Sequence, residues 1–150
     1  MDLSLNGNDV IILNGRLMTK FFDKDYGVLN FPNENANVKV GKNGNAVITL
    51  VNMGRLGELT LRILLGTTDD AFINSIQRAF QIDPPTFSTV TGQIVKRSGD
   101  GQGTPRDVVY DLLGGVPTTV PEAKSNSDGD EEQGVVIWKF KFARGSRRAA

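Results

Sequence analysis

Gly57-Glu-Leu-Thr-Leu-Arg-Ile-Leu-Leu65, followed by Gly66-Thr-Thr-Asp-Asp-Ala-Phe-Ile-Asn-Ser-Ile-Gln-Arg-Ala-Phe80, decides the fold class of this chain. Strand side chains alternate with period two, so Leu59, Leu61, Ile63 and Leu65 share one face. Glu58, Thr60, Arg62 and Leu64 share the other, which is mostly polar. Gly66-Thr-Thr then breaks the alternation. Phe72, Ile73, Ile76 and Phe80 follow helical spacing and form one apolar stripe, which predicts a helix over about 69–81. Thr67 and Asp70 fit a capping box, and Asp69 and Asp70 place negative charge at the positive end of the helix dipole. Arg78 falls in the expected last turn. Asp83-Pro-Pro85 stops the helix, because a residue before proline avoids helical dihedrals. The stripe reads as ordinary core packed on a sheet. No other stretch makes a convincing helix.

On both sides of this segment, strand patterns recur between turn signals. Asp9–Leu13 is a short apolar run closed by Asn14-Gly15, and Tyr26–Phe31 ends at Pro32-Asn33. Asn37–Val40 and Asn45–Val51 flank the polar turn Gly41-Lys-Asn-Gly44. Thr86–Arg97 and Asp107–Leu113 alternate, and Val116–Val120 is extended, with Pro117 suggesting an edge or irregular piece. The last strand is the clearest: Val136, Trp138, Phe140 and Phe142 form an apolar row, with Lys139 and Lys141 on the opposite face. About eight or nine strands with one helix indicate a mainly β fold, a sandwich or barrel. Ser98–Arg106 and Glu122–Gln133 read as loops, and 144–150 as a short basic tail, solvated and disordered.

Composition excludes several functions. Seventeen basic and seventeen acidic residues cancel, which argues against a dedicated nucleic-acid binder. With no cysteine there is no disulfide, thiolate ligand or cysteine nucleophile. With no histidine, the commonest general base and transition-metal ligand is missing. The first residues, Met1-Asp-Leu-Ser-Leu5, lack the basic and apolar regions of a secretory signal, and no apolar run approaches the roughly 20 residues that span a bilayer.

Candidate chemistry fails on spacing. Asn126, Asp128 and Asp130 match the first ligands of a calcium loop, but the glycine that should follow the third is missing and Ile137 stands where the final acid belongs. Gly99-Asp-Gly-Gln-Gly103 has Thr104 in place of the third glycine of a dinucleotide fingerprint, and no helix pattern follows it. Gly41-Lys42 lacks the upstream glycine of a phosphate loop. Asp69/Asp70 and Glu131/Glu132 are sequence neighbours, unlike the opposed carboxylates of a glycosidase. No catalytic residue, metal ligand or cofactor site is expected.

One resemblance remains. In order, Gly7-Asn-Asp-Val-Ile-Ile12, Asn30-Phe-Pro-Asn33, Val40-Gly-Lys-Asn-Gly-Asn45, Leu59-Thr-Leu-Arg-Ile63 and Gly66-Thr-Thr-Asp-Asp-Ala-Phe-Ile-Asn74 resemble segments of the tail tube proteins of contractile-tailed bacteriophages. Gly92-Gln-Ile-Val-Lys96, Gly99–Gly103, Gly114-Gly-Val116 and Val120-Pro-Glu-Ala-Lys-Ser-Asn126 extend the resemblance, which covers Leu5 to Phe142. It implies an antiparallel β-sandwich or half-barrel with one flanking helix, forming a single domain over 1–143. It also implies a structural virion protein, not an enzyme, whose hexameric rings stack into a hollow inner tube. DNA would pass through the lumen without sequence-specific binding. A tail sheath protein would surround the tube, with baseplate, tail-terminator and tape-measure proteins as further partners. The location implied is the virion tail, assembled in the host cytoplasm. Pyocin and type VI secretion tubes are similar in design, so a subunit of such an injection machine is the alternative, ahead of a ligand-binding β-sandwich. Glu58, Thr60, Arg62, Lys139 and Lys141 are the candidates for lumen or subunit contact, and Ser98–Arg106 and Glu122–Gln133 for contacts between rings.

Overall fold

A computed structural model describes residues 3–149 except 124, 126, 128 and 130. Asn126, Asp128 and Asp130, of the rejected calcium pattern, therefore lie outside the described residues. The strands are β1 (Leu5–Asn6), β2 (Val10–Leu13), β3 (Arg16–Leu17), β4 (Gly27–Asn30), β5 (Ala36–Val40), β6 (Ala46–Leu50), β7 (Gly57–Leu64), β8 (Val90–Lys96), β9 (Ser98–Gly99), β10 (Val108–Thr119) and β11 (Val135–Ala149). The helix α1 spans Thr68–Ile82. Seven strands form one antiparallel sheet in the order β3-β2-β8-β10-β11-β7-β4, while β1 pairs only with β9 and β5 only with β6.

The sheet curls into a half-barrel, and its hydrogen bonds show how. At one edge the Met18 N–H donates to the Ile11 carbonyl at 2.9 Å. Two residues further on, the Lys20 carbonyl accepts from Leu64 N–H of β7 at 3.0 Å, and Phe21 bridges Ile63. Two residues of chain reach at most about 7 Å. The β2 side and the β7 side, far apart in strand order, must therefore meet.

The first turn of α1 fastens this seam. Asp69 Oδ2 accepts from the backbone N–H groups of Thr19 and Lys20, both at 2.8 Å, and Oδ1 accepts from Arg16 Nη2 at 3.1 Å. Burial pushes the Asp69 carboxyl up, but these donors outweigh it and hold the group below its ordinary value. Its neighbour Asp70 ties the helix to the far wall, accepting from Trp138 Nε1 at 3.0 Å and from Gly66 N–H at 3.1 Å. Thr67 caps the helix as the sequence predicts, accepting from Asp70 N–H at 3.4 Å. The helix continues to Ile82, so Arg78 lies ahead of its last turn. The buried helix positions are Asp69, Ile73 and Gln77, with Phe72 and Ile76 half-buried. Phe80, expected in the stripe, is 37% exposed and packs edge-on against Phe87, because the helix leaves the sheet toward its C-terminus.

The core is the inner face of β7 and β11. Ile63 lies opposite Val136, Leu61 opposite Trp138 and Leu59 opposite Phe140, all buried. Phe142 faces Gly57 on one side and Gly115 on the other. A Cβ at Gly115 would sit within 2.3 Å of the Phe142 ring, so glycine makes room for that ring. Leu112 and Gly115, three residues apart, both reach the core because Gly114 adopts φ 68°, and the β8 register shifts at this point.

Two expectations change here. The pieces 107–113 and 116–120 are one strand, β10, through Thr119. Pro117 is tolerated because β8 ends opposite Gly115, leaving only β11 beside it. The basic tail is not a disordered end: β11 continues to Ala149, pairing Arg144 with Leu113 and Ala149 with Val108. Arg148 Nε donates to Asp111 Oδ2 at 2.7 Å and Arg147 Nε to the Tyr110 hydroxyl at 3.1 Å, so the arginines are paired across the ladder.

Candidate assembly surfaces

The five residues singled out in the sequence lie together on the outer face of β7 and β11. Register places Glu58 opposite Lys141 and Thr60 opposite Lys139, while Arg62 faces Ile137. Glu58 and Lys141 approach to 3.7 Å in a largely exposed pair, worth little by itself. The Arg62 guanidinium stacks over the Phe22 ring at 5.7 Å, which leaves it half-buried. Val28 of β4, opposite Thr60 and 56% exposed, adds an apolar edge to this polar face.

A second surface was not singled out in the sequence. β5 and β6 form a hairpin paired only to each other. Ala36, Val38 and Val40 stand opposite Leu50, Ile48 and Ala46, so all six share one face. That face is bare: Val38 is 57% exposed, Val40 63%, Ile48 72% and Leu50 65%. The opposite face carries Asn37, Lys39, Val47 and Thr49. The base of the hairpin is fixed. Val51 N–H donates to Asn35 O at 2.7 Å and Asn33 Nδ2 to Met53 O at 3.2 Å, and Gly54 is packed so tightly on Asn35 that a Cβ would collide. Alternation on both sides of Gly41–Gly44 was readable from the sequence. That no described residue covers the apolar face was not.

A third surface lies at the opposite end of β7. Gly66, Thr67, Ala71, Val120, Pro121 and Trp138 line an open groove of about 280 Å³. Leu64 and Leu65 are 40% and 59% exposed at the same end, where Leu65 N–H donates to Gly134 O at 2.8 Å.

The loop 98–106 is ordered by its own contacts. Arg106 N–H donates to Ser98 O, and the Asp100 carboxylate accepts from the N–H groups of Gln102 and Thr104. The loop 122–133 is described only in part. Among the described residues, no cluster of three or more acidic side chains could hold a metal ion, and no helix is long and apolar enough to cross a membrane.

No family model and no curated protein sequence matches the chain. Solved structures do share its fold. A chain in the cryo-EM structure of the anti-feeding prophage cap, the AFP tube-terminating cap, superposes with a TM-score of 0.64 at 12% identity, over 95% of this chain and 88% of that one. A chain in the extended sheath-tube complex of the extracellular contractile injection system PVC superposes with a TM-score of 0.57 at 11% identity, with the same coverage. At such identities the likeness is one of fold. The fold, a curled antiparallel half-barrel with one flanking helix, is thus found in assemblies of the contractile injection type.

Proposed function

We propose that this chain is a structural, non-enzymatic subunit that polymerises into the inner tube of a contractile delivery apparatus, of which the phage tail is the first case. The observation that carries this reading is the hairpin. Four large apolar side chains on one face of β5–β6 are 57–72% exposed above a hydrogen-bonded base. Complete burial of such a side chain is worth about 1.5–3 kcal/mol, so covering this face with another copy supplies roughly 1–2 kcal/mol per residue. An isolated two-stranded hairpin is marginal in water, and burial in an assembly would also stabilise it. The fold likeness to chains of injection-system structures points the same way.

In this reading, hexameric rings stack into a hollow tube within a sheath, bounded by baseplate, terminator and tape-measure proteins. Glu58, Thr60, Arg62, Lys139 and Lys141 form the polar face turned to the lumen or to a neighbouring subunit. Their mixed charge suits DNA or cargo that slides past without being held, since tight phosphate binding needs a cationic surface. The working location is the assembled particle, with assembly in the cytoplasm of the producing cell.

A second reading, a subunit that ends a tube, is favoured by the AFP cap having the higher TM-score of the two structures. Electron microscopy of the purified protein at high concentration separates these readings. Long hollow tubes support the repeating subunit. Single rings that never stack support the terminal one. Particles without a channel, or a protein that stays monomeric, contradict both.

A further inference from the structure

We infer that the open side of the half-barrel, between Tyr26, Lys96 and Arg147, binds a small aromatic anion: a single ring carrying a carboxylate or phosphate head. Every residue of this site belongs to one chain, so its occupancy does not depend on the tube reading. The body of the ligand has a cleft of about 410 Å³. Ile11 of β2 and its ladder partner Ile94 of β8 form one wall, and Leu29 of β4 with its partner Leu59 of β7 forms the other. β2 and β4 share no ladder, so the cleft opens between them. Tyr26 and Tyr110 also line it. Tyr26 is stacked on Phe21 at 4.6 Å and Tyr110 on Phe31 at 6.4 Å. Rings already fixed by their neighbours lose little freedom when a further ring packs on them. An apolar cleft of this size with a few convergent polar groups is the usual form of a small-molecule site, and the mouth of a barrel is a usual place for one.

The head has a second space, of about 330 Å³, which adjoins the cleft because Asp9, Lys96 and Tyr110 line both. The side chains there offer donors in excess. Lys96 Nζ donates one hydrogen to Asp9 Oδ2 at 2.6 Å and keeps the others. That bond raises the ammonium above its ordinary value, so it stays charged. Arg147 Nε donates to the Tyr110 hydroxyl at 3.1 Å, which leaves the Arg147 Nη groups and the phenolic proton for a further acceptor. Arg97 completes the lining, and among the described residues no carboxylate pairs with it or with Arg147. Against these three cations stands one carboxylate, Asp9, already engaged by Lys96. Lys24 and Asp25, which line the cleft, cancel each other. Donors with surplus positive charge select a head that only accepts, and ionised carboxylates and phosphates do so.

Ligand-observed NMR titration of the full chain with phenyl phosphate and with benzoate tests the site, and works on monomer and particle alike. Both probes are expected to saturate with a Kd of about 0.1–1 mM. Inorganic phosphate, the head alone, and phenol, the body alone, are expected to bind on the order of tenfold more weakly. Arg147→Gln and Tyr26→Ala are each expected to weaken phenyl phosphate on the order of tenfold, with denaturant unfolding showing that the variants are folded. Arg97→Gln, at an exposed position, keeps the fold and is expected to weaken it about threefold. Ile48→Asp, on the distant hairpin, should leave the affinity unchanged. Phenyl phosphate that fails to saturate by about 10 mM overturns the inference. So does an affinity unchanged in both arginine variants, or inorganic phosphate binding as tightly as phenyl phosphate. A probe released by Ile48→Asp would be resting on the hairpin, which overturns it as well.

Discussion

The β7–β11 pair and the β5–β6 pair are written in the same pattern and end in opposite environments. Each has an apolar row facing one way and a mixed row facing the other. In β7–β11 the apolar row, from Leu59 and Leu61 across to Trp138 and Phe140, is at most 2% exposed. In β5–β6 the corresponding row is more than half exposed. The difference lies in what the chain supplies above each row. α1 and the curl of the sheet close over the first, and Asp69 and Asp70 hold that closure. Among the described residues, nothing closes over the second. Alternation thus marks an apolar face but not whether its cover comes from the same molecule.

The substitution that hits the covered row hardest is Trp138→Ala. It removes the largest buried side chain and the indole donor to Asp70, and is expected to cost about 3–5 kcal/mol in denaturant unfolding. Gly115→Ala comes next, at about 3 kcal/mol, because its Cβ would collide with the Phe142 ring and approach the Val90 carbonyl at 3.0 Å. A Gly115→Ala protein as stable as the wild type would show that the inner face is less tightly filled than described.

Asp69→Asn tests the seam. Losing the charge that two backbone N–H groups and Arg16 hold is expected to cost about 2 kcal/mol near neutral pH. The folded carboxyl titrates below its ordinary value of 3.8. Its contribution is therefore present above that value and is lost as pH falls through the lower, folded one. Stability of the wild type should drop over that acid range, and that part of the drop should be missing in Asp69→Asn. Equal acid profiles would remove Asp69 from the account of the seam.

The smallest effect on folding is expected from Ile48→Asp in the uncovered row. Its unfolding free energy should stay within about 0.5 kcal/mol of the wild type, as for an exposed position. Sedimentation should nonetheless show assembly lost. A destabilised monomer would mean that the hairpin face is packed on its own subunit.

Much of the fold was legible in local chemistry. Thr67, the two aspartates and Asp83-Pro-Pro85 bracket the helix, and the Trp138 row defines the last strand. The misreadings share a physical cause, namely partners distant in sequence. Arg144, Arg147 and Arg148 look like a solvated tail until Leu113 to Val108 is seen beside them, with Asp111 and Tyr110 as partners. Phe80 fits the helical stripe, but it packs on Phe87 instead of the sheet. Of the surfaces, the Glu58 and Lys141 face followed from strand parity. The hairpin face did not, because exposure is a property of everything that fails to pack there.

Hydrogen exchange of the backbone amides in residues 36–50, measured in dilute monomer and in assembled particles, tests the central claim most directly. The account predicts rapid exchange at Val38, Val40, Ile48 and Leu50 in the monomer and strong protection once particles form, with β7 and β11 protected in both. Hairpin amides that exchange as fast in the particles as in the monomer would contradict it.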